Sequence, residues 1–428
     1  MSDVVRVGML GCGTVGAAVI RLLHDHEAEI ALRTDTRLEV TRVAVRDPSA
    51  PRDVPLDSSR FTADPREVVS DPEVDVVCEL MGGTDPALEL VLAAIDHGKP
   101  VVTANKELLA AHGRELFGRA EAKGVDLAFE ASVAGGVPLI RPLRESLAGD
   151  RVRRLMGIVN GTTNYVLTRM SDDGMSFDDA LAEAQRLGYA EANPAADVEG
   201  HDAAAKCAIL ASIAFDSLVT ADDVYREGIT GVTRQDIEFA RRLGYVVKLL
   251  AVAELEDGAV VARVHPAMIP SEHPLASVRG SFNAVFVEGE AVGELMFYGR
   301  GAGGEPTATS VVGDLIAVAG HLLHGGRAIG SARRLERGIR PMGETHSEYY
   351  VLVQVEDRPG VLAEIAAVFG RHGVSIRHVW QEGLGDEAQL VFISHGAKDA
   401  SLQASVADLE GLASVEAVES VLRVEGEE

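Results

Sequence analysis

The chain has 428 residues, more than a single hydrophobic core usually supports, so we expect two or three domains. Its formal net charge of −26 repels phosphate backbones and anionic lipid, which argues against nucleic-acid and membrane partners. The three cysteines, Cys12, Cys78 and Cys207, share no metal-like spacing, so we expect reduced thiols that act as small core residues in a cytoplasmic protein.

Short apolar runs alternate with helical patterns through the first part of the chain. Strands are predicted at Val4 to Leu10, Leu38 to Val45, Val74 to Leu80, Val101 to Val102 and Val125 to Phe129. Helices are predicted at Val15 to Leu23, Pro86 to His97 and Lys106 to Ala122. The alternation predicts an α/β fold with a Rossmann-type doubly wound parallel sheet over residues 1–130, completed by a helix near 306–325.

The pattern changes near residue 131, where a glycine-rich turn precedes apolar residues. Ser176 and Asp179 resemble a capping box for a helix from Phe177 to Leu187, and another helix is predicted from about Gly200 to Ala214. Several strand-like runs follow between residues 244 and 298. We therefore expect a central α+β domain for catalysis and dimerisation over residues 131–325.

Residues 326–346 are basic, contain glycine and are weakly periodic, which predicts a linker. Beyond them the predicted elements are strand Tyr349 to Val355, helix Val361 to His372, strands Val374 to Trp380 and Gln389 to Ser394, helix Ser401 to Leu412 and strand Val415 to Val424. This βαββαβ order predicts a ferredoxin-like domain over residues 347–428.

A G-x-G-x-x-G pattern follows the first predicted strand and opens the first helix. It consists of Gly11, Cys12, Gly13, Thr14, Val15 and Gly16. The first glycine permits a tight turn, the second lets backbone approach a pyrophosphate, and the third allows close helix–strand packing. The free N–H groups at the helix start favour an anion, so we predict a dinucleotide site.

Two residues at the end of the second strand bear on the choice of coenzyme. The guanidinium of Arg46 suits the 2′-phosphate of NADP(H), whereas Asp47 could hold the ribose of NAD(H). We favour NADP(H), although Arg46 could also be a solvated strand end, and NAD(H) stays possible.

The segment Thr103, Ala104, Asn105 and Lys106 leaves a strand and enters a helix. Residues beyond the carboxyl ends of parallel strands face the ligand crevice, so Thr103, Asn105 and Lys106 are candidate contacts at the nicotinamide end. Asn105 is also a suitable helix N-cap, and both roles are compatible.

A loop rich in acids leads into an alanine-rich helix that carries one lysine. Asp202 and Lys206 lie four residues apart and hence on one helix face. They could form a surface ion pair, but their flanks are apolar, which predicts a buried helix and a functional pair. A lysine can protonate the alkoxide that forms when an aldehyde is reduced, and carboxylates such as Glu191 can bind a substrate ammonium.

At this point the motifs resemble those of the homoserine dehydrogenase family over residues 1 to about 320. The similar runs are GCGTVG, ELMGG, TANKELLA, EASVAGGVP, NGTTNY, AEANPAADVEGHDAAAK and GRGAGGEPTATSVVGDL. The run Asp357 to Leu362 resembles the start of an ACT domain, a module that binds amino-acid effectors.

The resemblance implies a set of roles. Lys206 matches the proton-donor lysine, Asp202 its partner, and Lys106 a second lysine, so which lysine delivers the proton stays open. For the substrate, the matching positions are Gly188, Glu191 and Asp197. Gly303 and Glu305 match a loop that closes over coenzyme and substrate.

The resemblance also implies a site for a monovalent cation such as Na⁺. Glu130 and the carbonyls of Val133, Gly135 and Val137 match it. A glycine-rich turn can point several carbonyl oxygens at a hard cation. A purely structural turn explains the same residues equally well.

Pro359 and Gly360 lie between a predicted strand and helix, where the helix start can hold a carboxylate. The resemblance implies feedback binding of an amino acid, with threonine as the expected effector. A domain retained only for dimer packing is the alternative.

The implied reaction is L-homoserine + NADP⁺ ⇌ L-aspartate 4-semialdehyde + NADPH, in threonine, methionine and isoleucine biosynthesis. We expect a homo-oligomer, a dimer or a tetramer. The alternatives are a non-catalytic sensor of amino acids and dinucleotides, and a dehydrogenase of another amino-acid aldehyde or of a 2-oxo acid.

Overall fold

The computed structural model describes residues 3–328, 337–383 and 388–426, so residues 329–336 of the predicted linker lie outside the described part. The chain forms two compact units. The first comprises Met1–Arg153, Ala205–Asp223 and Val287–Arg337. The second comprises Arg154–Ala204, Val224–Phe286 and Gly338–Glu428. Each unit is described by itself.

The described strands are, in chain order, β1 Asp3–Leu10, β2 Thr36–Ala44, β3 Phe61–Thr62, β4 Val76–Glu79, β5 Val101–Thr103, β6 Leu127–Ala128, β7 Val152–Ile158, β8 Tyr225–Arg226, β9 Tyr245–Glu256, β10 Ala259–Pro270, β11 Phe282–Gly289, β12 Gly293–Arg300, β13 His346–Val355, β14 Ile376–Glu382, β15 Gln389–Ser394, β16 Ala397–Lys398 and β17 Val415–Val424.

The described helices are α1 Thr14–Asp25, α2 Glu27–Thr34, α3 Pro65–Ser70, α4 Ala87–Asp96, α5 Lys106–Lys123, α6 Gly161–Asp173, α7 Phe177–Arg186, α8 Ala195–Val198, α9 His201–Ala214, α10 Arg234–Arg242, α11 Gly304–His324, α12 Val361–Arg371 and α13 Asp399–Glu410.

The first unit contains a sheet in the order β3-β2-β1-β4-β5-β6, with parallel pairing throughout. This confirms the predicted doubly wound sheet. The strand order reverses between β1 and β4, and ligands of such sheets bind beyond the carboxyl strand ends at that reversal. The fold therefore places the glycine-rich pattern after β1 at the expected binding edge.

Helix α11 completes the core of the first unit. Val311 and Leu315 on α11 pack in one apolar cluster with Val7 on β1 and Val19 on α1. Among the described helices, α11 is long and apolar enough to cross a membrane, but half of its apolar window is buried within the protein. Its apolar character is explained by this packing.

Three elements of the first unit were not predicted, namely α2, α3 and β3. Helix α2 buries none of its residues, so its sequence has no apolar stripe that marks a helix. Strand β3 has only two residues, Phe61 and Thr62, and is a strand through its pairing with β2.

The long hairpin of β9 and β10 forms the centre of the second unit's sheet. The two strands pair antiparallel from Ala259 opposite Glu256 to Pro270 opposite Tyr245. Strand β7 pairs antiparallel with the other edge of β9. These strands account for the apolar runs that follow residue 244.

The C-terminal part shows the predicted βαββαβ order, with strands arranged β17-β13-β15-β14 and short β16 in addition. The sequence did not indicate how this sheet is joined. Strand β17 pairs antiparallel with β13 and parallel with β10, where Ala267 is opposite Arg423 and Met268 opposite Val424. The ferredoxin-like sheet is therefore continuous with the central sheet.

Buried charges lie at this junction. Arg263 on β10 donates to Glu425 at 2.9 Å, and the two side chains are 2% and 3% exposed. Arg154 also pairs with Glu425, and Glu254 also pairs with Arg263. Burial alone would raise the pKa of Glu425, but Arg263 and Arg154 beside it hold that pKa well below its usual range.

Candidate active site

The turn after β1 has the geometry that its glycines predict. Gly11 has φ +102°, and a Cβ there would lie 2.7 Å from the Leu80 carbonyl oxygen. Its N–H donates to the Ala44 carbonyl at 2.9 Å, which ties the turn to the end of β2. A side chain at this position is excluded by both conformation and space.

The next two glycines differ in what surrounds them. A Cβ on Gly16 would lie 2.6 Å from the Gly11 carbonyl oxygen, so this glycine serves close packing. A Cβ on Gly13 would meet no protein atom within 4 Å, so backbone there is open to a ligand. Gly13 also precedes α1, whose start has no side-chain cap. The N–H groups of Thr14 and Val15 therefore lie at a helix start suited to a phosphate.

A second helix start lies beside the first. Gly303, with φ +120°, precedes α11, and this start also has no side-chain cap. A Cβ on Gly304 would lie 3.2 Å from the Thr14 carbonyl oxygen, so α11 and α1 begin in close contact. Two helix dipoles thus present their positive ends together. Glu305 is exposed in the first turn of α11, where a carboxylate also stabilises the helix dipole.

At the end of β2, Arg46 and Asp47 are both exposed. The Asp47 carboxylate accepts hydrogen bonds from the Ser49 hydroxyl at 2.6 Å and the Ser49 N–H at 2.9 Å, which lower its pKa. Asp47 is therefore engaged in a local turn. Cys12, in the glycine-rich turn, is half-buried and packs against the apolar core of the first unit, whereas Cys78 and Cys207 are buried.

Thr103 uses its hydroxyl inside the protein. The hydroxyl donates to Glu79 at 2.6 Å and accepts from the Asn105 N–H at 3.0 Å. The other Glu79 oxygen accepts the Met81 N–H at 2.8 Å. Glu79 is fully buried and holds the loop after β4 to β5, a role that the sequence reading missed. In the sequence, the sign of this role is an acidic residue inside the apolar run that ends at Leu80.

Asn105 is the N-cap of α5, as one of its two predicted roles required. Its side-chain oxygen accepts the Leu108 N–H at 3.1 Å, and its amide donates to the Gly83 carbonyl at 2.7 Å. Lys106 is the first residue of α5 and is half-buried. The capped helix fixes the backbone from which Lys106 extends.

The buried carboxylate of Glu130 holds a backbone segment. It accepts the N–H groups of Leu139, Ile140 (2.7 Å) and Arg141 (2.8 Å). The Glu130 N–H donates to Asp314 at 2.7 Å. Burial, together with the neighbouring Glu130 charge, raises the pKa of Asp314 to about 7.

The turn after Glu130 is strained and closely packed. Ala134 and Gly135 have φ of 54° and 38°, and a Cβ on Gly135 would lie 2.5 Å from the Gly301 carbonyl oxygen. Val133, Gly135 and Val137 are buried, yet within the described ranges no hydrogen bond reaches their carbonyl oxygens. Buried carbonyls without donors fit a bound cation. No cluster of three acidic, histidine or cysteine side chains that could hold a metal occurs in the described part of the chain.

In the second unit, the side-chain amide of Asn160 forms hydrogen bonds with two of the predicted site carboxylates. The Asn160 side-chain amide donates to Asp197 at 2.7 Å and to Asp202 at 2.9 Å. Its oxygen accepts the Thr163 N–H at 2.9 Å and so caps α6. Asn160 is 5% exposed, and Asp202 is 7% exposed. The cap of α6 therefore fixes the positions of both carboxylates.

The substrate loop is fastened at the same place. The Thr162 hydroxyl contacts the second Asp197 oxygen at 3.1 Å and the Tyr189 carbonyl at 2.6 Å. Gly188, with φ +79°, and the Glu191 side chain are exposed on this loop. The motif NGTTNY alone predicts no specific role for Asn160 or Thr162, although a polar helix start beside an acidic loop is a signal for one.

Helix α9 carries the pair that the sequence singled out. Asp202 is buried and Lys206 is half-buried, one turn apart. Ala203, Ala204 and Ala205 between them are buried, as predicted. The helix begins in the second unit and ends in the first, since the division falls between Ala204 and Ala205.

Three family models match the chain. The model described as homoserine dehydrogenase, NAD binding domain, matches residues 11–130, that of homoserine dehydrogenase matches 138–316, and that of the ACT domain matches 349–413. A homoserine dehydrogenase of Corynebacterium glutamicum is 50% identical over 426 residues, covering 98% of this chain and 96% of that protein.

Two solved structures are also similar. A homoserine dehydrogenase from Thiobacillus denitrificans has a TM-score of 0.92 and 41% identity, covering 99% of this chain and 98% of that chain. A hyperthermophilic archaeal homoserine dehydrogenase in complex with NADPH has a TM-score of 0.62 and 28% identity, covering 74% of this chain and 98% of that chain.

Proposed function

The chain belongs to the homoserine dehydrogenase family, and on that premise we propose that it oxidises L-homoserine reversibly to L-aspartate 4-semialdehyde with NADP⁺. The observation that carries this proposal is the pair of carboxylates, Asp197 and Asp202, held by Asn160 at the start of the helix that also bears Lys206. We place the reaction in the cytoplasm, on the route to threonine, methionine and isoleucine.

Side chains of this protein accept the proton from the homoserine hydroxyl and return it in the reverse reaction. Oxidation of homoserine removes a proton from the hydroxyl oxygen and a hydride from the carbon that bears it. A bound nicotinamide coenzyme would supply the acceptor for that hydride. A neutral lysine amine takes the proton, and in reverse the ammonium returns it to the aldehyde oxygen. Lys206 is our first candidate, with Asp202 orienting it from one turn away; Lys106 is the second.

The coenzyme is proposed to lie on the two adjoining helix starts. Gly13, Thr14 and Val15 would receive the pyrophosphate, and the Gly303–Glu305 segment would approach it from α11. Arg46 would pair with the 2′-phosphate of NADP(H), since the Asp47 carboxylate is engaged by Ser49. The relative solved with NADPH supports the same choice.

We propose that homoserine binds through its ammonium and through contacts with the loop after α7. Glu191, exposed on the loop after α7, would receive the ammonium. Asp197 and the Gly188 backbone lie on the same loop, which Asn160 and Thr162 fasten. An ammonium-bearing substrate is therefore preferred over a plain 2-oxo acid.

Regulation by an amino acid, threonine as the first candidate, is proposed through the C-terminal domain. Gly360 has φ +99° and precedes α12, which leaves the helix start accessible to a carboxylate. Deleting this domain would remove β17 from its place beside β10 and leave Arg263 without Glu425. Point substitutions in the full chain are therefore the appropriate test of regulation.

The first prediction concerns the reaction and its coenzyme. Homoserine oxidation, followed at the nicotinamide absorbance, should proceed faster with NADP⁺ than with NAD⁺. Arg46→Ala should raise the KM for NADP⁺ about tenfold or more, because a charge-assisted contact is lost, and leave the KM for NAD⁺ unchanged. Arg33→Ala, an exposed arginine on α2, is the control. If neither NADP⁺ nor NAD⁺ supports turnover, the proposed oxidation of homoserine is contradicted and the alternative of a non-catalytic sensor is favoured.

The second prediction concerns the lysines. Lys206→Ala should lower kcat by about 10²–10⁴-fold, the usual contribution of a general acid or base, with coenzyme affinity largely kept. Lys106→Ala, assayed alongside, should lower kcat less if Lys206 delivers the proton. Lys123→Ala, at the exposed end of α5, should have no effect. Near-normal turnover of Lys206→Ala would remove its assignment.

The third prediction concerns Asn160 as a positioning residue. Asn160→Asp and Asn160→Ser both keep a cap for α6 but lose the amide that joins the two carboxylates. Asn160→Asp places a third carboxylate beside Asp197 and Asp202, so the acidic limb of the pH–rate profile should move to higher pH. Asn160→Ser should lower kcat/KM without that displacement.

The control for this experiment is Asn193→Asp, which makes the same change on the exposed loop. It should leave the acidic limb in place. If Asn160→Asp and Asn193→Asp give the same pH profile as the unmodified protein, Asn160 is only a helix cap.

The fourth prediction concerns the cation. We propose that the carbonyls of Val133, Gly135 and Val137, with Glu130, hold Na⁺ or a similar ion. Activity or thermal stability should then rise saturably with Na⁺ when tetramethylammonium keeps the ionic strength constant. A response to ionic strength alone would identify the turn as purely structural.

A further inference from the structure

Lys248 on β9 is a buried charged residue that the proposed reaction does not use. It is 2% exposed, and burial and the neighbouring Arg279 lower its pKa to about 8. Among the described residues its ammonium forms no ion pair with a carboxylate; it donates to the Asn164 side-chain oxygen at 3.0 Å and to the Val278 carbonyl at 2.5 Å. A buried ammonium without a countercharge is costly, so its presence points to a contact that an apolar side chain could not make.

Asn164 on α6 binds the carbonyls of one loop, the segment 278–282, which we name the α6 loop. Its amide donates to the Gly280 carbonyl at 2.9 Å and to the Phe282 carbonyl at 3.1 Å. Its own oxygen accepts from the Lys248 ammonium, which also binds the first carbonyl of the loop. The ammonium and the carboxamide thus attach the α6 loop to the helix through three of its carbonyls.

The α6 loop and the residue after it contact the chain on both sides of Asn160. A Cβ on Gly161 would lie 2.8 Å from the Ser281 carbonyl oxygen, so the first turn of α6 rests directly on the loop. Asn283, which follows the loop, donates to the Ile158 carbonyl at 2.8 Å. The residues just before and just after Asn160 are therefore fixed by the segment that the buried ammonium binds.

We propose that Lys248 is a positioning residue for the reaction. Through Asn164 and the α6 loop it holds the first turn of α6 and, with it, the Asn160 amide that binds the two site carboxylates. This proposal rests on the proposed function, since it takes those carboxylates as part of the substrate site. An ammonium suits the role because one nitrogen carries three donors for oxygens that converge on it.

Lys248→Met removes the donors and keeps a side chain of similar length, so it tests this role. It should lower kcat/KM for homoserine about 10²-fold, the usual cost of displacing a site by about 1 Å, and leave the KM for NADP⁺ unchanged. In the Asn160→Ser background the same substitution should have little further effect, because the amide that it positions is already absent. Lys248→Gln keeps a donor amide and should recover part of the activity.

Lys99→Met is the matched control. Lys99 is 7% exposed, and its ammonium also donates to two carbonyls, those of Asp71 and Val74. These three residues precede β4 and β5, at the edge of the sheet opposite to the carboxyl strand ends where the coenzyme is proposed to bind. Lys99→Met should therefore lower the melting temperature about as much as Lys248→Met and leave kcat/KM unchanged. The comparison separates positioning from a general loss of stability.

Hydrogen exchange, followed by mass spectrometry on the full chain, needs no turnover. The amides of residues 161–166 should exchange faster in Lys248→Met than in the unmodified chain, and Lys99→Met should leave them unchanged. Unchanged exchange in Lys248→Met would overturn the proposal, as would an equal loss of kcat/KM with and without Asn160→Ser.

If Lys248→Met does not fold, the same two readouts are taken on Lys248→Gln, with smaller effects expected in the same directions. A chain that does not oxidise homoserine would refute the proposed reaction, and the exchange data alone would then decide whether Lys248 holds α6.

Discussion

The contact on which the second unit depends most is the parallel pairing of β17 with β10, secured by Arg263 and Glu425. A buried ion pair adds little net stability, but removing one partner costs about 3–5 kcal/mol because the other charge is left uncompensated. Glu425, whose pKa is held low, stabilises the fold above its unfolded pKa, and that stability is lost as the pH falls through the folded value. The pair joins the end of the last strand to β10.

The two units meet their functional demands by different physical means. In the first, the important surfaces are backbone: an open Gly13, a closely packed Gly16 and two uncapped helix starts. In the second, they are side chains, since a single carboxamide on Asn160 satisfies two carboxylates and a helix start together. Backbone donors suit an anionic coenzyme of fixed shape, whereas paired carboxylates suit a small cationic group.

Sequence patterns predicted the structural features that depend on residues close together in the chain. The G-x-G-x-x-G turn, the alanine-rich helix and the βαββαβ order were predicted correctly because glycine conformation and apolar periodicity act over a few residues. Helix α2 was missed because it buries nothing, and the Asn160 contacts were missed because their partners lie 37 and 42 residues away. The β17–β10 pairing joins segments more than 150 residues apart, beyond any window of sequence pattern.

A series of contacts runs from β17 through the central sheet to helix α6, whose cap residue Asn160 holds Asp197 and Asp202. At one level across three strands, Arg423 on β17 is opposite Ala267 on β10, which is opposite Lys248 on β9. Lys248 is buried, its pKa is lowered to about 8 by burial, and it donates to Asn164 on α6 at 3.0 Å. Asn164 lies one turn after the cap residue Asn160. Packed strands and one helix thus form a continuous series of contacts from β17 to the residue that holds Asp197 and Asp202.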